Sequence, residues 1–121
     1  MGKRKLSVAI RKYNNKLNKL SDAEAQKLEE IEQLALELMQ VHNVSNYNFR
    51  FGYGWKYLGM CTEQTIIIQY EHALYDKMTR IKNTILHEIA HAIVGVENGH
   101  REVWQLKAKE LGVSFTRKYR K

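Results

Sequence analysis

The chain has 121 residues, about the length of one domain with a modest core. Hydrophobic residues make up 44% of it, which fits a folded protein, and no apolar run approaches the roughly 20 residues of a membrane-spanning helix. The net charge is +7, and the single cysteine, Cys61, excludes an internal disulfide and a four-cysteine zinc ribbon.

The positive charge is concentrated at the two ends of the chain. Residues 1–20 hold seven basic side chains and residues 113–121 hold four, and neither segment holds an acidic one. The 92 residues between them carry nine basic and thirteen acidic side chains, a net charge of −4. Basic segments attract polyanions by neutralising phosphates. The ends therefore predict DNA contact, and the alternative is that they only keep the protein soluble. The residues proposed for DNA contact are Lys3, Arg4, Lys5, Arg11 and Lys12.

The N-terminal segment also bears on where the protein acts. Its apolar run from Leu6 to Ile10 stops at Arg11 and is shorter than the roughly 7–15-residue core of a secretory signal. We therefore expect a cytoplasmic or nucleoid-associated monomer that is neither secreted nor bound to a membrane.

The first predicted element is a long helix. Ser21 and Glu24 have the spacing of a capping box, in which each side chain bonds the other residue's backbone amide. Apolar residues then recur at steps of three and four, which predicts an amphipathic helix from about Asp22 to His42 that serves as scaffold. Asn43 predicts its end. The apolar stripe consists of Leu28, Ile31, Leu34, Ala35, Leu38 and Val41.

Three short segments that follow predict strands. They are Tyr47–Phe51, Tyr57–Cys61 and Thr65–Gln69. The first is aromatic and alternating, and the last contains a run of isoleucines that favours a strand covered by helices. Because the segments follow one another closely, with glycines at the first turn, the simplest arrangement is an antiparallel meander.

Helical spacing returns from about Asp76 to Val94, and Gly95 marks the end of that helix. His87 and His91 lie four residues apart, about 40° around the axis and one turn along it, so both imidazoles can reach one ion. Glu88 flanks that ion, close enough to act on a water bound there. We expect this motif to lie on the face opposite the apolar stripe. The stripe consists of Met78, Ile81, Ile85, Ile89 and either Ala92 or Ile93.

A catalytic zinc takes three protein ligands and keeps one position open for water, so the motif needs a third ligand. His100 follows a glycine-containing turn and is the first candidate. Glu102 is the alternative, because some zinc proteases use a glutamate. Eight residues separate His91 from His100 and no methionine follows Met78, which excludes the metzincin pattern.

A last amphipathic helix is predicted after His100 and before Gly112, and its Trp104 is expected to pack beneath the site. Other aromatic and polar side chains have a weaker claim to function. Tyr70, His72 and Tyr75 are candidate stabilisers of a developing oxyanion by position only, and partial exposure is the expectation for His72. Tyr53, Trp55 and Tyr57 could stack on bases, but packing on the sheet is favoured. Cys61 is expected to be a small buried residue.

These motifs together resemble one family. HEIAH at residues 87–91, followed by GH at 99–100 and by Trp104, is similar to the SprT-like metalloprotease domain, and so are LGMC at 58–61 and the isoleucine run. The resemblance covers roughly residues 22–113. It implies zinc on His87, His91 and His100, with Glu88 as catalytic base. The family includes Spartan-type proteases, which cut proteins cross-linked to DNA, so it also implies DNA-associated substrates.

The sequence therefore predicts a zinc-dependent metallopeptidase that hydrolyses peptide bonds with a zinc-activated water and Glu88 as general base. Two alternatives remain: a non-catalytic nucleic-acid-binding module stabilised by zinc, and a metal-dependent nuclease. The predicted fold is α+β, with an N-terminal helix, a three-stranded antiparallel sheet, the HExxH helix and a C-terminal helix. We expect a SprT-like domain at residues 21–113, between a basic arm at 1–20 and a basic tail at 114–121.

Overall fold

The computed structural model describes residues 20–52 and 57–114 of the chain. Within them, one helix precedes three consecutive strands and further helices follow, which confirms the predicted α+β fold. The elements are α1 (Asp22–Val41), β1 (Asn48–Gly52), β2 (Gly59–Cys61), β3 (Thr65–Gln69), α2 (Tyr70–Tyr75), α3 (Met78–Val94), a 3-10 turn (Val96–Asn98) and α4 (Glu102–Glu110).

The scaffold helix α1 begins at the predicted capping box. The Glu24 amide donates to the Ser21 hydroxyl at 3.1 Å, and the Ser21 amide donates to the Glu24 carboxylate at 3.0 Å. One face is buried, and α1 ends before Asn43, whose φ of 63° is a left-handed conformation that terminates helices. The fully buried side chains of this face are Leu28, Ile31, Ala35 and Met39.

The sheet differs from the predicted antiparallel meander. Its strand order is β1-β3-β2, so the last strand along the chain lies in the middle. β3 pairs with β2 in the antiparallel sense, as a tight hairpin requires, but it pairs with β1 in parallel, with Phe49 opposite Ile66. The predicted antiparallel arrangement is therefore wrong at one of the two pairings.

Burial gives the physical reason for this strand order. Ile66, Ile67 and Ile68 are all buried, so β3 presents apolar side chains on both of its faces. A strand of that kind is best covered in the centre of a sheet. The twelve residues between Gly52 and Thr65 are long enough to carry the chain past the centre, form β2 and return.

The chain leaves β3 directly into α2, a short helix that the sequence did not predict. The Gln69 side chain accepts the His72 amide at its start, and Asp76, in an extended conformation, ends it. Because Asp76 and Lys77 are extended, α3 begins at Met78 rather than at Asp76.

A continuous core fills the space between α1, α3 and the inner sheet residues. It holds α3 against both β2 and β3, which brings the HExxH motif next to the sheet. Among the described residues, no helix is both long enough and apolar enough to cross a membrane.

Candidate metal centre

The HExxH motif lies in the buried middle of α3. The side chains of His87, Glu88 and His91 are all within 1% of complete burial. The motif face and the apolar face of α3 are both buried, because the helix is buried on every side from Thr84 to His91. The reason is that α4 and the sheet both pack on the helix over this segment.

The turn after α3 carries the chain back over the motif. Gly95 ends the helix with φ 102°, a conformation that favours glycine, and its amide donates to the His91 carbonyl at 2.8 Å. The single 3-10 turn then leads to Gly99, whose φ is 53°. His100 follows at once and lies above α3. Two left-handed backbone positions thus make the reversal that a third ligand requires.

The three histidines converge on one point. His100 Nε2 lies 3.1 Å from His87 Nε2 and 3.1 Å from His91 Nε2, and the ligand atoms of all three lie within 4.8 Å of one another. An imidazole nitrogen carries one proton or one lone pair, so it makes one good hydrogen bond, whereas a cation accepts three lone pairs. Ligands about 2.0–2.1 Å from a tetrahedral zinc are about 3.3 Å apart. The arrangement therefore fits a metal ion.

Trp104 forms the floor of this group. Its ring centroid lies 4.6 Å from those of His87 and His100 and 5.2 Å from that of His91, onto which it stacks. Its indole N–H donates to the His87 carbonyl at 3.3 Å. The side chain is fully buried, in agreement with the predicted packing beneath the site. One residue of α4 thus fixes the rings contributed by α3 and by the turn.

The Glu88 side chain lies against β2, an edge strand of the sheet. Gly59 of β2 lies against it, since a Cβ built on this glycine would come within 3.1 Å of Glu88 Oε2 and 3.0 Å of Thr84 Cγ2. Such distances are shorter than ordinary van der Waals contact. A larger residue here would force its neighbours on the motif helix to shift.

A family comparison agrees with this geometry. The family model described as SprT-like family matches residues 25–120, most of the chain. The chain belongs to the SprT-like family. None of the curated proteins and none of the solved structures compared with it gives a match. For this SprT-like domain, the resemblance inferred from HEIAH, Gly99-His100 and Trp104 is therefore confirmed.

The alternative third ligand of the SprT-like domain, Glu102, is exposed in the first turn of α4. Among the described residues, His87, His91 and His100 form the one group of side chains that could hold a metal ion. Glu97 is also exposed, on the 3-10 turn. The geometry thus favours the three-histidine set over one that contains a glutamate.

One polar cluster of the SprT-like domain was missed by the sequence analysis. His72, expected to be partly exposed, is 4% exposed. Its Nδ1 lies 3.0 Å from Asp76 Oδ2 and its Nε2 lies 2.8 Å from Thr84 Oγ1. Burial lowers the pKa of His72, although the hydrogen bond that it donates to Asp76 opposes this shift. The only sequence signal was the proximity of His72 to Asp76, one turn apart on a helix that was itself not predicted.

The other sequence candidates do not meet at the metal centre. Tyr70 is buried and stacks on Phe51, whereas Tyr75 is 73% exposed. Tyr57 is half-buried, and Tyr53 and Trp55 lie outside the described residues. Cys61 is buried in β2, as expected. The five basic residues proposed for DNA contact also lie outside the described residues: Lys3, Arg4, Lys5, Arg11 and Lys12.

Proposed function

We propose that this SprT-like domain is a zinc-dependent peptidase that hydrolyses peptide bonds with Glu88 as general base. The observation that carries the proposal is the convergence of His87, His91 and His100 beside a buried glutamate of the same helix. Membership of the SprT-like family supports it independently.

The donor set supports zinc as the metal. Three imidazole nitrogens suit zinc and leave one tetrahedral position for water, as in catalytic rather than structural sites. Zinc bound there would supply a Lewis acid that polarises the substrate carbonyl and lowers the pKa of a bound water towards about 7. The hydrogen bond from Trp104 to the His87 carbonyl and the stacking on His91 would keep the ligands oriented.

Glu88 is the group that would move the proton. In peptide hydrolysis the attacking water must lose a proton and the leaving amine must gain one, and a single carboxylate can do both in turn. The side chain of Glu88 is 1% exposed, so few waters screen its charge. Its contact with Gly59 restricts where the carboxylate can lie.

This proton requirement also distinguishes the alternatives. Phosphodiester cleavage depends mainly on metal positioning and charge neutralisation, so a nuclease has less need of Glu88. A structural zinc is usually closed by a fourth protein ligand, and the described residues offer three. Both considerations favour peptide hydrolysis over a nuclease and over a zinc-stabilised binding module.

We extend the proposal to DNA-associated proteins as substrates. The support is the charge of the chain ends, eleven basic side chains without an acid, together with the resemblance to Spartan-type proteases. The basic ends would hold the domain on DNA, where such substrates are concentrated.

The deciding experiment compares Glu88→Gln and His91→Ala with wild type on a protein substrate, with and without DNA. Both variants should lose cleavage, because one lacks the proton acceptor and the other lacks a ligand. Glu88→Gln should retain one zinc per chain by metal analysis, whereas His91→Ala should not. Undiminished cleavage by Glu88→Gln would refute the mechanism.

A matched pair of variants tests the third ligand. His100→Ala should lose zinc, and Glu102→Gln should bind it as wild type does, because Glu102 is exposed and outside the group. Full zinc occupancy in His100→Ala combined with loss in Glu102→Gln would transfer the ligand role to the glutamate.

A further inference from the structure

A buried chain of hydrogen bonds leads from Asp76 through His72 to Thr84, which lies beside Glu88 at Gly59. It begins at the junction of α2 and α3, where Lys27 of α1 donates to the Leu74 carbonyl at 3.0 Å and to the Asp76 carbonyl at 2.6 Å. These bonds fix the backbone that carries Asp76. The Asp76 carboxylate in turn lies 3.0 Å from His72 Nδ1.

The hydrogens in this chain can be assigned from chemistry. An ionised carboxylate can only accept, so the contact with Asp76 puts the His72 proton on Nδ1. With His72 neutral, its Nε2 then accepts from the Thr84 hydroxyl at 2.8 Å. The Arg80 carbonyl lies 3.1 Å from Thr84 Oγ1 and is a second acceptor for the same single hydroxyl hydrogen, so both acceptors place Oγ1 on the same side and favour one side-chain rotamer.

That rotamer directs the methyl group of Thr84 towards β2. Thr84 Cγ2 lies 3.0 Å from the position of a Cβ on Gly59, and Glu88 Oε2 lies 3.1 Å from the same point. Thr84 and Glu88 are four residues apart on α3, so they are neighbours on one face. Gly59, Thr84 and Glu88 therefore meet at one place, with Thr84 held from behind by His72.

The arrangement of Asp76, His72 and Thr84 has the order of a nucleophilic triad, but it does not act as one. Thr84 is completely buried and His72 is 4% exposed, so no substrate reaches the hydroxyl. A buried chain of hydrogen-bonded polar groups instead fixes the geometry of what packs against it.

We propose that His72 is a positioning residue for Glu88: it holds the Thr84 methyl against Gly59, and these two groups set where the Glu88 carboxylate lies. The proposal rests on the proposed function, in which Glu88 handles the proton. A misplaced base loses rate without losing metal, because the ligands His87, His91 and His100 are held separately by Trp104.

The test uses two variants that interrupt the path from His72 to Glu88 at different points. His72→Phe keeps an aromatic ring and removes both hydrogen bonds, and Thr84→Ser keeps the hydroxyl and removes the methyl. Each should lower kcat on the order of 10-fold, with KM within twofold and one zinc per chain. His72→Gln, whose amide can still accept from Thr84, should recover part of the loss. Ile31→Val, a core change in α1 that removes none of these hydrogen bonds, is the matched control and should leave kcat unchanged.

A spectroscopic measurement separates this proposal from the proposed function. In NMR spectra of protein labelled with ¹³C at the carboxyl groups of its glutamates, the resonance that is absent from the Glu88→Gln variant belongs to Glu88. It should shift in His72→Phe and in Thr84→Ser and stay in place in Ile31→Val. An unmoved Glu88 resonance in both variants overturns the positioning role. If wild type cleaves no protein substrate, the peptidase proposal fails, and the resonance still decides the role of His72.

Discussion

Gly59 occupies a point where a strand side chain would collide with Glu88. A methyl group there would meet the carboxylate at 3.1 Å, Thr84 at 3.0 Å and the Ile67 carbonyl at 3.2 Å. The backbone carbonyl cannot yield easily, so the Glu88 side chain should move instead. We expect Gly59→Ala to lower kcat by about 10²-fold while zinc remains bound.

Gly112→Ala is the control for this substitution. Nothing lies within 4 Å of its Cβ position, but its φ of +84° strains any other residue, so it should cost about 1–2 kcal/mol of stability. Its kcat should match wild type. Equal losses of kcat in the two variants would attribute the effect of Gly59→Ala to folding rather than to Glu88.

His72 also makes the stability of the fold depend on pH. Burial lowers its pKa below the ordinary value of 6.5, so between the folded and unfolded pKa values the unfolded chain binds more protons. Stability from His72 is therefore present above about pH 6.5 and is lost as pH falls through the folded pKa. Burial would raise the pKa of Asp76, but hydrogen bonds from the Lys77 amide and His72 leave it below 3.8. Asp76 therefore affects stability at a lower pH than His72 does.

This is tested by measuring the melting temperature of the metal-free wild-type and His72→Phe proteins at pH 7.5 and at pH 5.5. Acidification should lower the melting temperature of wild type more than that of His72→Phe. The contributions of the other four histidines are common to both proteins and cancel in this comparison. The same loss in both chains would show that folding does not lower the pKa of His72.

At the scale of single residues, the sequence predicted what depends on local spacing. His87 and His91 follow from the helical repeat, and the capping box at Ser21 from a three-residue interval. The role of His72 could not be predicted, because its partner Thr84 comes from another helix and the backbone of its partner Asp76 is held by Lys27 from a third.

At the scale of elements, the helices were more predictable than the sheet. The 3.6-residue repeat located α1 and α3 to within about two residues. The order β1-β3-β2 does not follow from local spacing, because pairing between β1 and β3 joins segments separated by β2. An apolar run on two faces, as in Ile66–Ile68, is the one sequence feature that points to a central strand.

The packing of α4 on α3 yields a prediction about metal affinity. Trp104→Phe removes the N–H that bonds the His87 carbonyl and shrinks the surface beneath three imidazoles. Since such supporting contacts orient the ligands, zinc affinity should fall by roughly 10-fold or more in a competition titration with a chelator. Leu106→Ala, on the exposed side of the same helix, should bind zinc as wild type does. Equal affinity for Trp104→Phe would mean that the turn alone orients His100.

At the scale of the whole molecule, charge separates the ends of the chain from its body. Residues 1–20 and 113–121 together carry 7 + 4 = 11 positive charges, and the 92 residues between them carry −4, for the total of +7. A body of net negative charge does not by itself favour DNA, so any affinity should come from the ends. The N-terminal five basic residues lie outside both the described residues and the family match, which begins at residue 25.

Deleting residues 1–12 therefore tests the DNA proposal without touching the metal centre. The deletion removes five basic side chains, and each one that neutralises a phosphate contributes about 0.9 to the slope of log affinity against log salt. Binding to duplex DNA should weaken, and the slope should flatten by up to about 4.5. A full-length chain with the same five residues changed to glutamine should behave alike, because charge rather than chain length is at issue. Zinc content and cleavage of a DNA-free substrate should remain at wild-type values in both. An unchanged slope would show that this arm makes no phosphate contacts and serves solubility, and any DNA affinity would then have to come from another part of the chain.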